Sequence, residues 1–202
     1  MKTIQYTETK TIRKPQLEIS YYEDAESPRA MQCNVGYFIT CDNKYNSPDD
    51  NELLKTIIEN TAQRAGDQID HMELIEEEVL ECLEEKVLEI MPVCKYEHGN
   101  VVYRLGTGSG FDCSNNGFYI VTDKTLQNAG LDKTELAGLE DIISAELEEY
   151  TQWCNGEIYE YRLLGENGEL VDACSGFTDI NRIKEFLPEE WQNEEMSEYM
   201  TE

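Results

Sequence analysis

Between Asp67 and Glu89 the chain carries ten carboxylates and a single lysine, set among apolar residues at helical spacing. At 100° per residue Ile69, Met72, Ile75, Val79, Leu80, Cys82, Leu83, Val87 and Ile90 fall on one broad face. Asp67, Asp70, Glu73, Glu77, Glu78, Glu81, Glu84, Glu85 and Glu89 crowd the opposite arc. The spacing predicts one long acidic amphipathic helix over residues 67–90, with its apolar side in a core and its other side anionic. A helix of that length spans about 35 Å, a distance over which one DNA strand carries about ten phosphates, so the linear charge matches.

An acidic helix face is commonly no more than a solvated surface, but such a surface usually mixes lysine with glutamate for support one turn away. This one scarcely does, and the excess continues beyond it: Asp141, Glu146, Glu148 and Glu149 follow, then Glu185, Glu189, Glu190, Glu194 and Glu195. With 43 acidic residues against 16 Lys and Arg, the net charge is −27. That balance excludes direct binding of nucleic acid, which needs cations against phosphates, and points to a basic protein partner such as a nucleic-acid-binding enzyme. The candidate contact residues are Asp70, Glu73, Glu77, Glu78, Glu81, Glu84, Glu85, Glu148 and Glu149.

The remaining pattern reads as α+β. Alternating or β-branched runs predict strands at residues 16–24, 35–41, 93–96, 101–105, 117–122, 157–164 and 169–174, with turns at His98-Gly99-Asn100, Asn115-Asn116-Gly117 and Gly165-Glu166-Asn167-Gly168. Helices are predicted from Ser47-Pro48-Asp49-Asp50 to Gly66, over residues 134–153, and in a short closing segment at 180–186. The expectation is an antiparallel sheet of six to seven strands with three to four helices. They should form a single domain over residues 1–191, followed by an acidic flexible tail at 192–202. The start, MKTIQYTETK, has no apolar signal core, and no window is apolar enough for a membrane span, so a cytoplasmic protein is expected. Seven cysteines, an odd number, fit free thiols better than a disulfide framework.

Catalytic and metal-binding patterns are weak. Cys113 with His98 and the adjacent Asp112 would suit a thiolate–imidazole pair, but the surrounding negative charge raises a thiol pKa. Cys94, His98 and Cys113 offer zinc ligands without any Cys-x-x-Cys pair. Gly106-Thr107-Gly108-Ser109-Gly110 precedes a strand and lacks the lysine of a phosphate loop, so it reads as a flexible connection. Asp42-Asn43-Lys44-Tyr45-Asn46 departs from a calcium loop at its third and sixth positions. No enzyme activity, cofactor or metal is expected.

Three stretches carry a resemblance. The first is Glu26-Ser27-Pro28-Arg29 followed by Asn34-Val35-Gly36 and Tyr45; the second is Tyr96-Glu97-His98 leading to Phe111-Asp112-Cys113 and Gly117-Phe118-Tyr119-Ile120-Val121-Thr122. The third runs from Glu146 to Tyr150, through Gly156-Glu157-Ile158-Tyr159, to Asp172-Ala173-Cys174-Ser175-Gly176-Phe177. Together they cover most of residues 18–178 in order, and in them the chain resembles a family of small accessory proteins of phages and mobile elements. It departs where that family has an acidic residue, an aromatic and Asp before Asn-Leu-Gly, reading Ala30-Met31-Gln32-Cys33, and where the family's tryptophan is replaced by Ser175. The resemblance implies an anti-defence context. Acidic phage proteins of the antirestriction and anti-CRISPR kind look like DNA to the enzyme they block. The alternatives are a non-catalytic interaction protein of phage replication and a cysteine-dependent enzyme using Cys113 and His98.

Overall fold

The computed structural model describes residues 16–30, 33–41, 47–132 and 137–201. Its strands are β1 (Gln16–Tyr21), β2 (Tyr37–Thr40), β3 (Val87–His98), β4 (Asn100–Leu105), β5 (Cys113–Thr122), β6 (Tyr159–Leu164) and β7 (Leu170–Phe177). Its α-helices are α1 (Glu52–Ala62), α2 (Gln68–Leu83), α3 (Asp123–Asn128) and α4 (Leu139–Cys154), and a 3-10 helix covers Ile180–Phe186. All strand pairs are antiparallel, as expected for an α+β chain, but they form two sheets rather than one, in the orders β1-β6-β7 and β2-β5-β3-β4. The contacts group into two compact units where one domain is expected. Among the described residues, one unit holds 16–25 and 156–201, and the other holds those between Glu26 and Asn155.

In the larger unit the four-stranded sheet is covered on both faces, which is why β5 reads as an unbroken apolar run. Phe38, Tyr119 and Val121 pack on one side with Leu139, Ile143, Leu147 and Tyr150 of α4. Ile39, Phe118 and Ile120, the alternate residues of the same strands, pack on the other with Leu54, Ile57 and Ile58 of α1 and Ile75 and Val79 of α2. The predicted hairpin at Gly99 forms, with His98 opposite Asn100. Asn115-Asn116-Gly117 does not turn: it lies within β5, beside an irregularity in the pairing with β3, and Asn116 spends its amide on the Cys41 carbonyl at 2.9 Å. Residues 106–112 instead carry the chain from one edge of β3 to the other, because β4 and β5 both pair antiparallel with β3 and so run in the same direction on either side of it.

In the smaller unit Leu17, Ile19, Tyr161, Leu163 and Phe177 build a core with Ile183 and Met196. Residues expected within a flexible tail take part in it. Met196 is wholly buried, Met200 bridges to Ile19, and the Thr201 amide donates to the Ile19 carbonyl at 2.7 Å. The apolar residues Met196 and Met200, spaced by one helical turn, outweigh the acidic bias of their neighbours.

Candidate functional site

The acidic helix is shorter than its pattern predicts. Asp67 caps its start by accepting the Asp70 amide at 3.0 Å, and Glu84 ends it in the left-handed conformation at φ 55°. The chain then turns into β3, so Val87, Glu89 and Ile90 belong to a strand. Lys124 donates to the Leu83 carbonyl at 3.2 Å and so satisfies one of the helix's last acceptors. Over its 16 residues α2 spans about 24 Å, where a DNA strand would place about seven phosphates. The helix itself carries Asp70, Glu73, Glu76, Glu77, Glu78 and Glu81, so the charge density survives the shortening.

These carboxylates are not equivalent. Glu73, Glu77, Glu81 and Glu84 are exposed, and so is Glu76, which the sequence argument did not single out. Asp70 accepts the Gly66 amide, and Glu78 is paired with Arg64 at 2.6 Å. Glu85 is not a surface residue: at 7% exposure it accepts from Thr122 Oγ1 at 2.8 Å and from the Tyr37 hydroxyl at 3.2 Å, and pairs with Lys124 at 3.6 Å. Burial, then the charge and hydrogen bond of Glu85, push the Tyr37 phenol up to about 12. Glu148 and Glu149 are exposed but lie on α4, across the sheet from α2, and do not join its face.

The expected broad apolar side of α2 is also narrower. Ile75 and Val79 are buried with Met72 and Leu83 beside them, while Ile69 is 67% and Leu80 55% exposed and Cys82 is exposed. Ile69 and Leu80 are about 20° apart around the helix and about 16 Å apart along it, among Glu73, Glu76 and Glu77. The outer face of α2 is thus anionic with two aliphatic residues set in it.

Sequence reasoning passed over the best-connected group in the larger unit, Arg29. Its guanidinium holds Asp49 through two bonds of 2.9 and 2.8 Å, Glu146 at 2.7 Å, Asn34 at 3.0 Å and the Gly36 carbonyl at 2.7 Å. The Tyr119 hydroxyl donates to the same Glu146 carboxylate. Burial works against the charge of Arg29, but the hydrogen bonds and charge of Asp49, with the hydrogen bond to the Tyr119 hydroxyl, outweigh it and hold the group protonated. Gly36 is required here because a Cβ would stand 2.6 Å from the Ile120 carbonyl oxygen. Every donor direction of Arg29 is used internally, so the cluster is a clamp, not a ligand site. Arg29, Asn34 and Gly36 come from the first motif stretch, and Asp49, Tyr119 and Glu146 complete the cluster.

Cys113 lies opposite Tyr96, and its thiol donates to the Ser109 carbonyl at 3.2 Å. His98 is exposed and pairs with Asp112 at 3.4 Å; among the described residues no hydrogen bond joins it to Cys113. The 106–110 loop is anchored, since the Asn115 amide bonds both the N–H and the carbonyl of Gly108 at 2.8 and 2.9 Å. Among the described residues no group of three or more His, Cys, Asp or Glu could hold a metal, and no helix is long and apolar enough to cross a membrane. The calcium-like stretch 42–46 lies outside the described residues. No family profile, curated protein or solved structure matches the chain.

Proposed function

We propose that the chain is a non-catalytic, phage-type anti-defence protein that inhibits a CRISPR or restriction effector by seating the outer face of α2 in its basic nucleic-acid channel. The observation that carries this reading is the row Glu73, Glu76, Glu77, Glu81 and Glu84, exposed on the helix and at its end, with no cation in the helix to neutralise it. A channel built for phosphates meets a similar charge per unit length there and is attracted over a distance set by ionic strength. The resemblance to phage accessory proteins supports the same context. Reversing Glu73, Glu77 and Glu81 to Lys leaves the packed side of α2 untouched and is expected to weaken binding to a purified nuclease effector by at least about 100-fold at low salt. Wild-type affinity that does not change across a salt titration would defeat the charge-mimic reading.

A second reading rests on Ile69 and Leu80, since a pure charge mimic has no use for exposed aliphatics. A regulatory interaction protein of phage replication would bury them against its partner, with Glu73 and Glu76 at the rim. Ile69→Ser with Leu80→Ser discriminates. Loss of binding with the salt response retained favours the second reading, whereas unchanged binding leaves the contact to the carboxylates.

A further inference from the structure

Seven cysteines are present, and the fold brings two of them together. Cys94 lies on β3 at the irregularity between Val93 and Lys95, and Cys113 opens β5 opposite Tyr96. Residues two apart on a strand share a face, so Cys94 and Cys113 form a diagonal pair on one side of the sheet. The irregularity leaves Asn115 and Asn116 unmatched beside Cys94, so the regular ladder is interrupted at this point. Gly108 lies over both sulfurs: a Cβ there would overlap Cys94 Sγ and stand 2.9 Å from Cys113 Sγ. The Asn115 amide holds Gly108 in that place. Of the two thiols Cys94 is buried and Cys113 is partly exposed, whereas Cys33, Cys82, Cys154 and Cys174 are exposed and Cys41 lies against α1 residues.

We propose that Cys94 and Cys113 are a reversible dithiol–disulfide pair whose substrate is a small disulfide such as oxidised glutathione. Cys113, the accessible member, attacks one sulfur of the reagent as its thiolate and expels glutathione thiolate, forming a mixed disulfide. Cys94 then loses its proton and attacks the Cys113 sulfur, expelling the second glutathione. Two protein thiols are oxidised, one reagent disulfide is reduced, and the two protons end on the two glutathiones. Burial, followed by the charge and hydrogen bond of Cys113, raises the Cys94 pKa and keeps it a protonated resolving thiol until the mixed disulfide is formed. In the oxidised form the Ser109 carbonyl loses its thiol donor, so the pair sets how firmly the loop carrying the fully exposed Phe111 is held.

Native full-length protein is incubated with excess oxidised glutathione, quenched in acid, alkylated and digested at Lys95 and Arg104, which separate the two cysteines. The expected product is a Cys94–Cys113 linked peptide lacking two hydrogens, while the exposed cysteines carry glutathione singly. In Cys94→Ala the mixed disulfide at Cys113 should persist, because nothing resolves it. Wild-type protein in which Cys113 keeps its glutathione and Cys94 stays alkylatable overturns the proposal, as does linkage to any other cysteine. The mapping on wild-type protein decides the matter even if the variant does not fold.

Discussion

Arg29 gathers one of the buried polar clusters of the larger unit around a single side chain. Its partners Asp49 and Glu146 are themselves mostly covered, and both also accept backbone amides, from Phe38 at 2.6 Å and Val35 at 3.0 Å. Removing the cation leaves two carboxylates facing each other without compensation, so Arg29→Ala is expected to lower unfolding free energy by about 3–5 kcal/mol, measured by urea denaturation. Arg29→Lys keeps the charge but loses the two-pronged bond to Asp49 and should fall between the two. At Tyr37 the sign runs toward high pH. The folded state holds this phenol proton up to about 12 against an ordinary 10.0, so its stabilising contribution is complete below pH 10 and is lost as pH rises toward 12. The denaturation midpoint of Tyr37→Phe should therefore fall less steeply than that of the wild type across that window.

Elements were legible in proportion to how local their causes are. The hairpin at Gly99 and the closing 3-10 helix follow from residues adjacent in the chain, whereas α1, expected to start at Ser47-Pro48-Asp49-Asp50, starts after its cap Asn51, because Ser47 and Asp49 instead accept the amides of Thr40 and Phe38. The end of α2 has no local cause either. No glycine or proline stands at 84, and Glu84 is forced into a left-handed turn because Glu85 is taken inward by Thr122, Tyr37 and Lys124, all distant in sequence. Val87–Ile90 kept the helical period by coincidence, although the β-branched run VLEIMPVCKY with Pro92 was a strand signal in the same residues. Since a left-handed non-glycine costs about 1 kcal/mol, Glu84→Gly should raise stability by about that amount in thermal or urea unfolding. Asn115-Asn116-Gly117 misled for the same reason in reverse, being a local turn signal overridden by partners at Cys41 and Gly108. The Arg29 clamp is not legible in the sequence, because its members are scattered from position 29 to position 146 and only Arg29, Asn34 and Gly36 lie close together in the chain.

At the scale of the molecule, 43 acidic residues set a large negative charge without saying where on the fold it is concentrated. The sheet of the larger unit separates two acidic surfaces, because it is covered on both faces and holds α2 and α4 apart. Glu148 and Glu149 cannot share a footprint with Glu73 and Glu77. Changing both α4 residues to Gln should leave α2-dependent binding within about twofold in a titration at fixed ionic strength, as expected for sites too distant to couple. The sheet therefore gives the larger unit a valence as well as a charge. It has two negative poles, back to back, so a partner of the kind proposed above, docked on one, would leave the other open to the solvent or to a second basic molecule.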